Sequence, residues 1–147
     1  MKISEHFTDV DVGFDLVAIK NKIDNTPSRQ VLLLAEDLAV NLLEPLKAEH
    51  DFRIVSWYRC SNLEREYCKH SYFDYLRENR LTVSEKTWAT YLGNKQHVTG
   101  SAVSLISGNM DTVFEWLSDQ TFDVLQMRDG YIHVSYVKGA NRKLILN

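Results

Sequence analysis

Between Ser28 and Glu49 the apolar residues Val31, Leu34, Leu38 and Leu42 recur at spacings of three and four and mark one stripe along a helix. This is predicted to be the central buried helix. Asp24-Asn25-Thr26-Pro27 ahead of Ser28 supplies a turn and a helix start, and Pro45, which lacks an N–H, is expected to kink or tighten the last turns. A weaker helical pattern covers Val10 to Lys22. Phe52 to Ser56 alternates apolar and polar with period two and predicts a half-buried strand, which Trp57-Tyr58-Arg59 leaves. From Ser61 a charged amphipathic helix carries Leu63, Tyr67, Tyr72, Phe73 and Leu76, with a break expected near His70-Ser71. Ser84 caps another short turn, which ends at Gly93-Asn94.

The remaining chain reads strand, helix, strand, strand: Thr99 to Ser107, Asp111 to Leu117 with Asp111 as N-cap, Phe122 to Met127, and Tyr131 to Val137. Asp129-Gly130 between the last two is the strongest hairpin signal. Helices first and antiparallel strands later predict an α+β fold, with an antiparallel sheet of about four strands packed on N-terminal helices. One domain over residues 1–147 accommodates all of it.

Composition supports that picture and narrows the function. The chain has 147 residues, 44% hydrophobic and 25% charged, with six Gly and two Pro, enough for one sizeable core without disulfides or a structural metal. Seventeen Lys and Arg against twenty Asp and Glu give a formal charge of −3, with both signs mixed and no basic run to neutralise a row of phosphates. No nucleic-acid partner is expected. The longest apolar run, Val31 to Ala35, falls far short of the roughly 20 residues of a membrane span, and Met1 to His6 carries no hydrophobic signal core. Cys60 and Cys68, eight apart, fit neither a zinc knuckle nor a disulfide framework and read as reduced thiols.

Candidate chemistry centres on two histidines. His97 stands at the entrance of the Thr99 strand, and His133 lies inside Tyr131-Ile132-His133-Val134-Ser135-Tyr136. Alternation places Tyr131, His133 and Ser135 on one face and Ile132, Val134 and Tyr136 on the other. A histidine on a strand whose opposite face is core points at something polar. Taken alone it reads as a hydrogen-bonded structural residue; two such residues reaching one place read as metal ligands.

The segments around both histidines resemble the two zinc-binding signatures of the zinc D-Ala-D-Ala carboxypeptidase family, which includes many phage and bacterial peptidoglycan peptidases. His97-Val98-Thr99-Gly100-Ser101-Ala102-Val103-Ser104 is similar to Ser-Gln-His-x-x-Gly-x-Ala-x-Asp, and Tyr131-Ile132-His133-Val134-Ser135 to Trp-Val-His-Val-Ser. Collinear pieces extend the resemblance over nearly the whole chain: Ser4-Glu5-His6-Phe7-Thr8, Ile23-Asp24-Asn25-Thr26-Pro27, Leu43-Glu44-Pro45-Leu46-Lys47, Val55-Ser56-Trp57-Tyr58-Arg59, Phe122-Asp123-Val124-Leu125 and Gly139-Ala140-Asn141-Arg142. Residues 68–93 form an enlarged, aromatic-rich insertion relative to the family.

The resemblance implies a zinc held by His, Asp and His, with a nearby Glu or Asp as general base. His97 and His133 stand at ligand positions, but Ser104 occupies the place of the aspartate and Arg128 that of the base. A neutral hydroxyl is a poor zinc ligand, and a guanidinium cannot take a proton near neutral pH. Asp123 and Asp129 are the candidate substitute carboxylates, and Arg59 matches the arginine that receives a substrate carboxylate. Ser56, Tyr58 and Gln96 are further candidate cleft residues.

Two functions follow as expectations. The first is a non-catalytic relative without a cofactor, serving as a bacteriophage virion structural or interaction protein, with other virion proteins, further copies of itself or peptidoglycan as partners, in the virion or the bacterial cytoplasm. The second is an active zinc peptidase on D-Ala-D-Ala or L-Ala-D-Glu bonds of peptidoglycan, with Arg59 and Asp129 as catalytic residues.

Overall fold

In the computed structural model, which describes residues 1–147, the weak N-terminal pattern resolves into two short helices, α1 (Asp9–Gly13) and α2 (Leu16–Lys20). Each start is capped by a side chain: Thr8 and Asp11 form a reciprocal capping box, and Asp15 accepts from the backbone N–H groups of Val17 and Ala18. The long helix runs from α3 (Arg29–Leu38) through a π turn (Ala39–Leu43) into α4 (Glu44–Glu49), with Ser28 accepting from Val31 N–H at its start. Pro45 widens the helix where a kink or a tightened turn was expected. Proline cannot donate, and the turn before it opens so that Glu44 N–H reaches back to Ala39. The buried stripe also differs in detail: Ala35, Leu38, Ala39, Leu42, Leu43 and Leu46 face inward, while Leu34 is exposed.

After strand β1 (Arg53–Ser56) come α5 (Ser61–Tyr67) and then, within residues 68–93, α6 (Lys69–Asn79) and α7 (Glu85–Leu92). The break falls at Cys68, two residues before the expected place. Tyr72 and Leu76 are buried, and Tyr72 stacks on Trp88 with ring centroids 3.4 Å apart, so α6 and α7 are packed by their own aromatics. A 3₁₀ turn (Gln96–Thr99) then leads into β2 (Ala102–Ile106), followed by α8 (Met110–Ser118), β3 (Val124–Arg128), β4 (Tyr131–Ser135) and β5 (Leu144–Leu146). Asn109, rather than Asp111, caps α8 by accepting from Thr112 N–H. Gly130 alone of the hairpin pair takes positive φ (89°), so the Asp129-Gly130 loop is not the type I′ turn in which both residues would.

The class is α+β, but the sheet is mixed and five-stranded, in the order β1-β2-β4-β3-β5. Four strands pair antiparallel as expected; β5 adds a parallel edge beside β3, a strand missing from the sequence reading because three residues carry no measurable period. One face packs Val103, Leu105, Leu125, Ile132 and Val134 into a core cluster with the long helix, Trp57, Val113, Leu117 and Phe122. No helix is long and apolar enough to cross a membrane.

Candidate functional site

The other face of the sheet carries the polar residues. Register places Ser56 opposite Ser104, Ser104 opposite His133, His133 opposite Gln126 and Gln126 opposite Leu146, one row across all five strands. A bulge between Ile54 and Ser56 sets the first of these pairings and leaves Val55 beside the row. The row floors a cleft of about 530 Å³, walled by α5, the start of α6 and the residues around the 3₁₀ turn.

His97 enters this cleft from the 3₁₀ turn and is clamped from behind. Its Nδ1–H donates to the Trp57 carbonyl at 2.6 Å, Arg59 N–H donates to the His97 carbonyl at 3.0 Å, and Trp57 Nε1–H donates to the Gly100 carbonyl at 2.9 Å. Gly100 closes the turn with φ of 85°, where an L side chain would be strained. The clamp aims His97 Nε2 at Ser104 Oγ, 3.4 Å away, and the His97 and His133 rings lie 5.3 Å apart, edge to face. The two rings meet beside Ser104, which lies opposite His133 in the register and within 3.4 Å of His97 Nε2.

Arg59 also reaches this spot. It is buried, stacks 3.6 Å over the Tyr67 ring, donates to Ser56 Oγ at 2.9 Å, pairs with Glu64 at 3.2 Å and places Nη2 3.5 Å from Ser104 Oγ. Behind it, buried Asp15 accepts from Ser56 Oγ (2.6 Å) and from the Tyr67 hydroxyl (2.9 Å). Arg59 is thereby engaged by its own protein at the position where the resemblance assigned it a substrate carboxylate. Burial pushes the Glu64 carboxyl up, with the Arg59 charge opposing; burial likewise takes the Tyr67 phenol to about 12.

The electrostatics around the imidazoles are those of a cationic site. Burial and then the charge of Arg59 hold His97 well below its ordinary value, and burial followed by Arg59, Arg128 and Lys95 lowers His133 to about 4. Both rings are neutral at pH 7. Asp123, one candidate substitute carboxylate, is bound by Arg142 at 2.9 Å and by Gln96 at 2.6 Å, and its pKa falls to about 2. Asp129 sits exposed in the hairpin loop, outside the residues that line the cleft, and Tyr58 also lies outside them.

The donor set does not fit zinc. No three His, Cys, Asp or Glu side chains converge as a metal-holding group, and the spot between the imidazoles is shared by a neutral serine and a guanidinium. Of the residues singled out from the sequence, the fold brings together Ser56, Arg59, Gln96, His97, Ser104, Arg128 and His133. Sequence reasoning missed Glu64, Tyr67, Lys95 and Gln126. Gln126 carried a usable signal, since a two-residue loop at Asp129-Gly130 pairs Arg128 with Tyr131 and hence Gln126 with His133. Glu64 and Lys95 carried none.

The chain matches no protein-family model, no curated protein and no solved structure.

Proposed function

We propose that this protein is a non-hydrolytic relative of the zinc D-Ala-D-Ala carboxypeptidases that works as a structural or interaction component of a bacteriophage virion. The observation that carries the reading is the Arg59 guanidinium 3.5 Å from Ser104, beside the imidazole pair. A fixed positive charge there opposes a dication, and neither Ser104 nor Arg128 supplies the anion or the base that hydrolysis needs. The virion setting comes from the resemblance to short phage peptidases. An interaction role is supported by exposed apolar side chains: Val10, Phe14, Leu16 and Ile19 on the N-terminal helices, and Phe73 and Val83 on and beside the insertion helices.

The opposing reading, an active zinc peptidase on peptidoglycan stem peptides, draws on the retained imidazole pair and on the Nδ1–H bond from His97 to Trp57, which orients a ring as metal ligands are oriented. Elemental analysis of protein purified without chelator separates the two. The expected result is zinc far below one equivalent, melting unchanged by EDTA, and no release of D-Ala from stem peptides. About one zinc per chain, lost in His133→Ala, together with D-Ala release, overturns the proposal.

A further inference from the structure

The cleft holds more positive charge than its own carboxylates balance. Among its lining residues Arg59 is paired with Glu64, and Arg142 with Asp123. Lys95 and Arg128 have no carboxylate partner: Lys95 Nζ lies 4.7 Å over the Tyr91 ring, and Arg128 donates only to the Gln126 amide oxygen at 3.2 Å. This surplus sits on a chain whose formal charge is −3, so it is a local positive focus on an acidic molecule. The cleft floor adds neutral polar groups suited to orienting a ligand: the Ser104 hydroxyl, Gln126 and Tyr131.

We propose, building on the non-hydrolytic reading, that the cleft binds a small organic dianion, its oxyanion groups held by Arg128 and Lys95 over the Ser104–His133–Gln126 row. Two unpartnered cations call for two negative charges. The Arg128 guanidinium offers a planar fork to a carboxylate or phosphate, and the Lys95 ammonium a point charge. The cleft volume of about 530 Å³ admits a molecule of metabolite or short-peptide size. Lys95, Arg128 and His133 line the same cleft, and Arg128 is tied by its bond to Gln126 to the residue that pairs with His133. Dicarboxylates and phosphomonoesters share this chemistry, and the choice of probe distinguishes them.

The test is calorimetric titration of the full chain at low salt with EDTA present, using glutarate, inorganic phosphate and acetate as probes. EDTA makes the outcome independent of any zinc. The expected result is saturable binding of glutarate or phosphate, weaker binding of acetate, and a loss of about tenfold in affinity in Arg128→Gln and in Lys95→Gln, equivalent to about 1.4 kcal/mol each. Arg128 is exposed at a strand end, so Arg128→Gln folds, and unchanged circular dichroism checks it. Preference for glutarate assigns a dicarboxylate; preference for phosphate assigns a phosphomonoester. Absence of saturable binding by either dianion, or binding equal in wild type and both variants, overturns the inference and leaves the non-hydrolytic reading standing. Zinc at one equivalent with active hydrolysis overturns that reading instead.

Discussion

Asp123 shows how a residue proposed for chemistry can be consumed by structure. Its carboxylate accepts from Arg142 through the backbone N–H, Nε and Nη2, and from Gln96, tying β3 to the segment before β5 and to the 3₁₀ turn. The Arg142 bonds hold its pKa at about 2 in the folded chain, below the ordinary 3.8. A depressed carboxylate stabilises the fold above its unfolded pKa and ceases to as pH falls through the folded one. The Asp123 contribution is therefore present above about pH 4 and lost between there and about pH 2. Urea midpoints measured from pH 5 to pH 2 are expected to fall steeply for the wild type and less so for Asp123→Asn, which starts lower at pH 5. At this scale the sequence was partly readable. Alternation gave the facing of His133, whereas the engagement of Asp123 and Arg59 depends on Arg142 and Glu64, whose positions follow from tertiary packing alone.

At the scale of elements, two glycines in turns separate close packing from bare backbone strain. A Cβ on Gly100 would lie 2.9 Å from both Val31 Cγ1 and the Val31 carbonyl oxygen, while one on Gly130 would meet nothing within 4 Å; both residues have positive φ. Gly130→Ala is expected to cost about 1 kcal/mol from conformation alone. Gly100→Ala adds overpacking against the long helix and is expected to cost about 3 kcal/mol or more. Chemical denaturation of the two variants checks the difference. Helices with capping residues and a long apolar stripe, together with the hairpin strands, were legible because their signals are local. The N-terminal helix split at Phe14 and the short β5 were not, since a five-residue helix and a three-residue strand gain their stability from what they pack against.

For the molecule as a whole, one face of the sheet meets the core and the other floors the cleft under α5 and the start of α6. Residues 68–93 bury Tyr72, Leu76 and Leu92 but contribute none of them to the main core cluster, and Phe73 and Val83 stand exposed there. On the proposed interaction role, Phe73→Asp with Val83→Asp is expected to weaken association while leaving the melting temperature near that of the wild type, both side chains being exposed; sedimentation velocity and thermal melting read the outcome. Fold class was legible at this scale, and the cationic character of the cleft was not, because Lys95 and Arg128 lie far apart in a chain of mixed charge. The π turn of the long helix bears on chain length. A turn closed over five residues holds one residue more than an α turn, yet Ala35 and Leu38 before it and Leu46 after it all face the core. It is a surplus residue absorbed on the spot. A chain shortened by exposed Val40, with Pro45→Ala to restore a donor, should therefore close into continuous α-helix and fold. Removing Glu36 from the regular part would instead turn everything downstream by about 100° and unfold it.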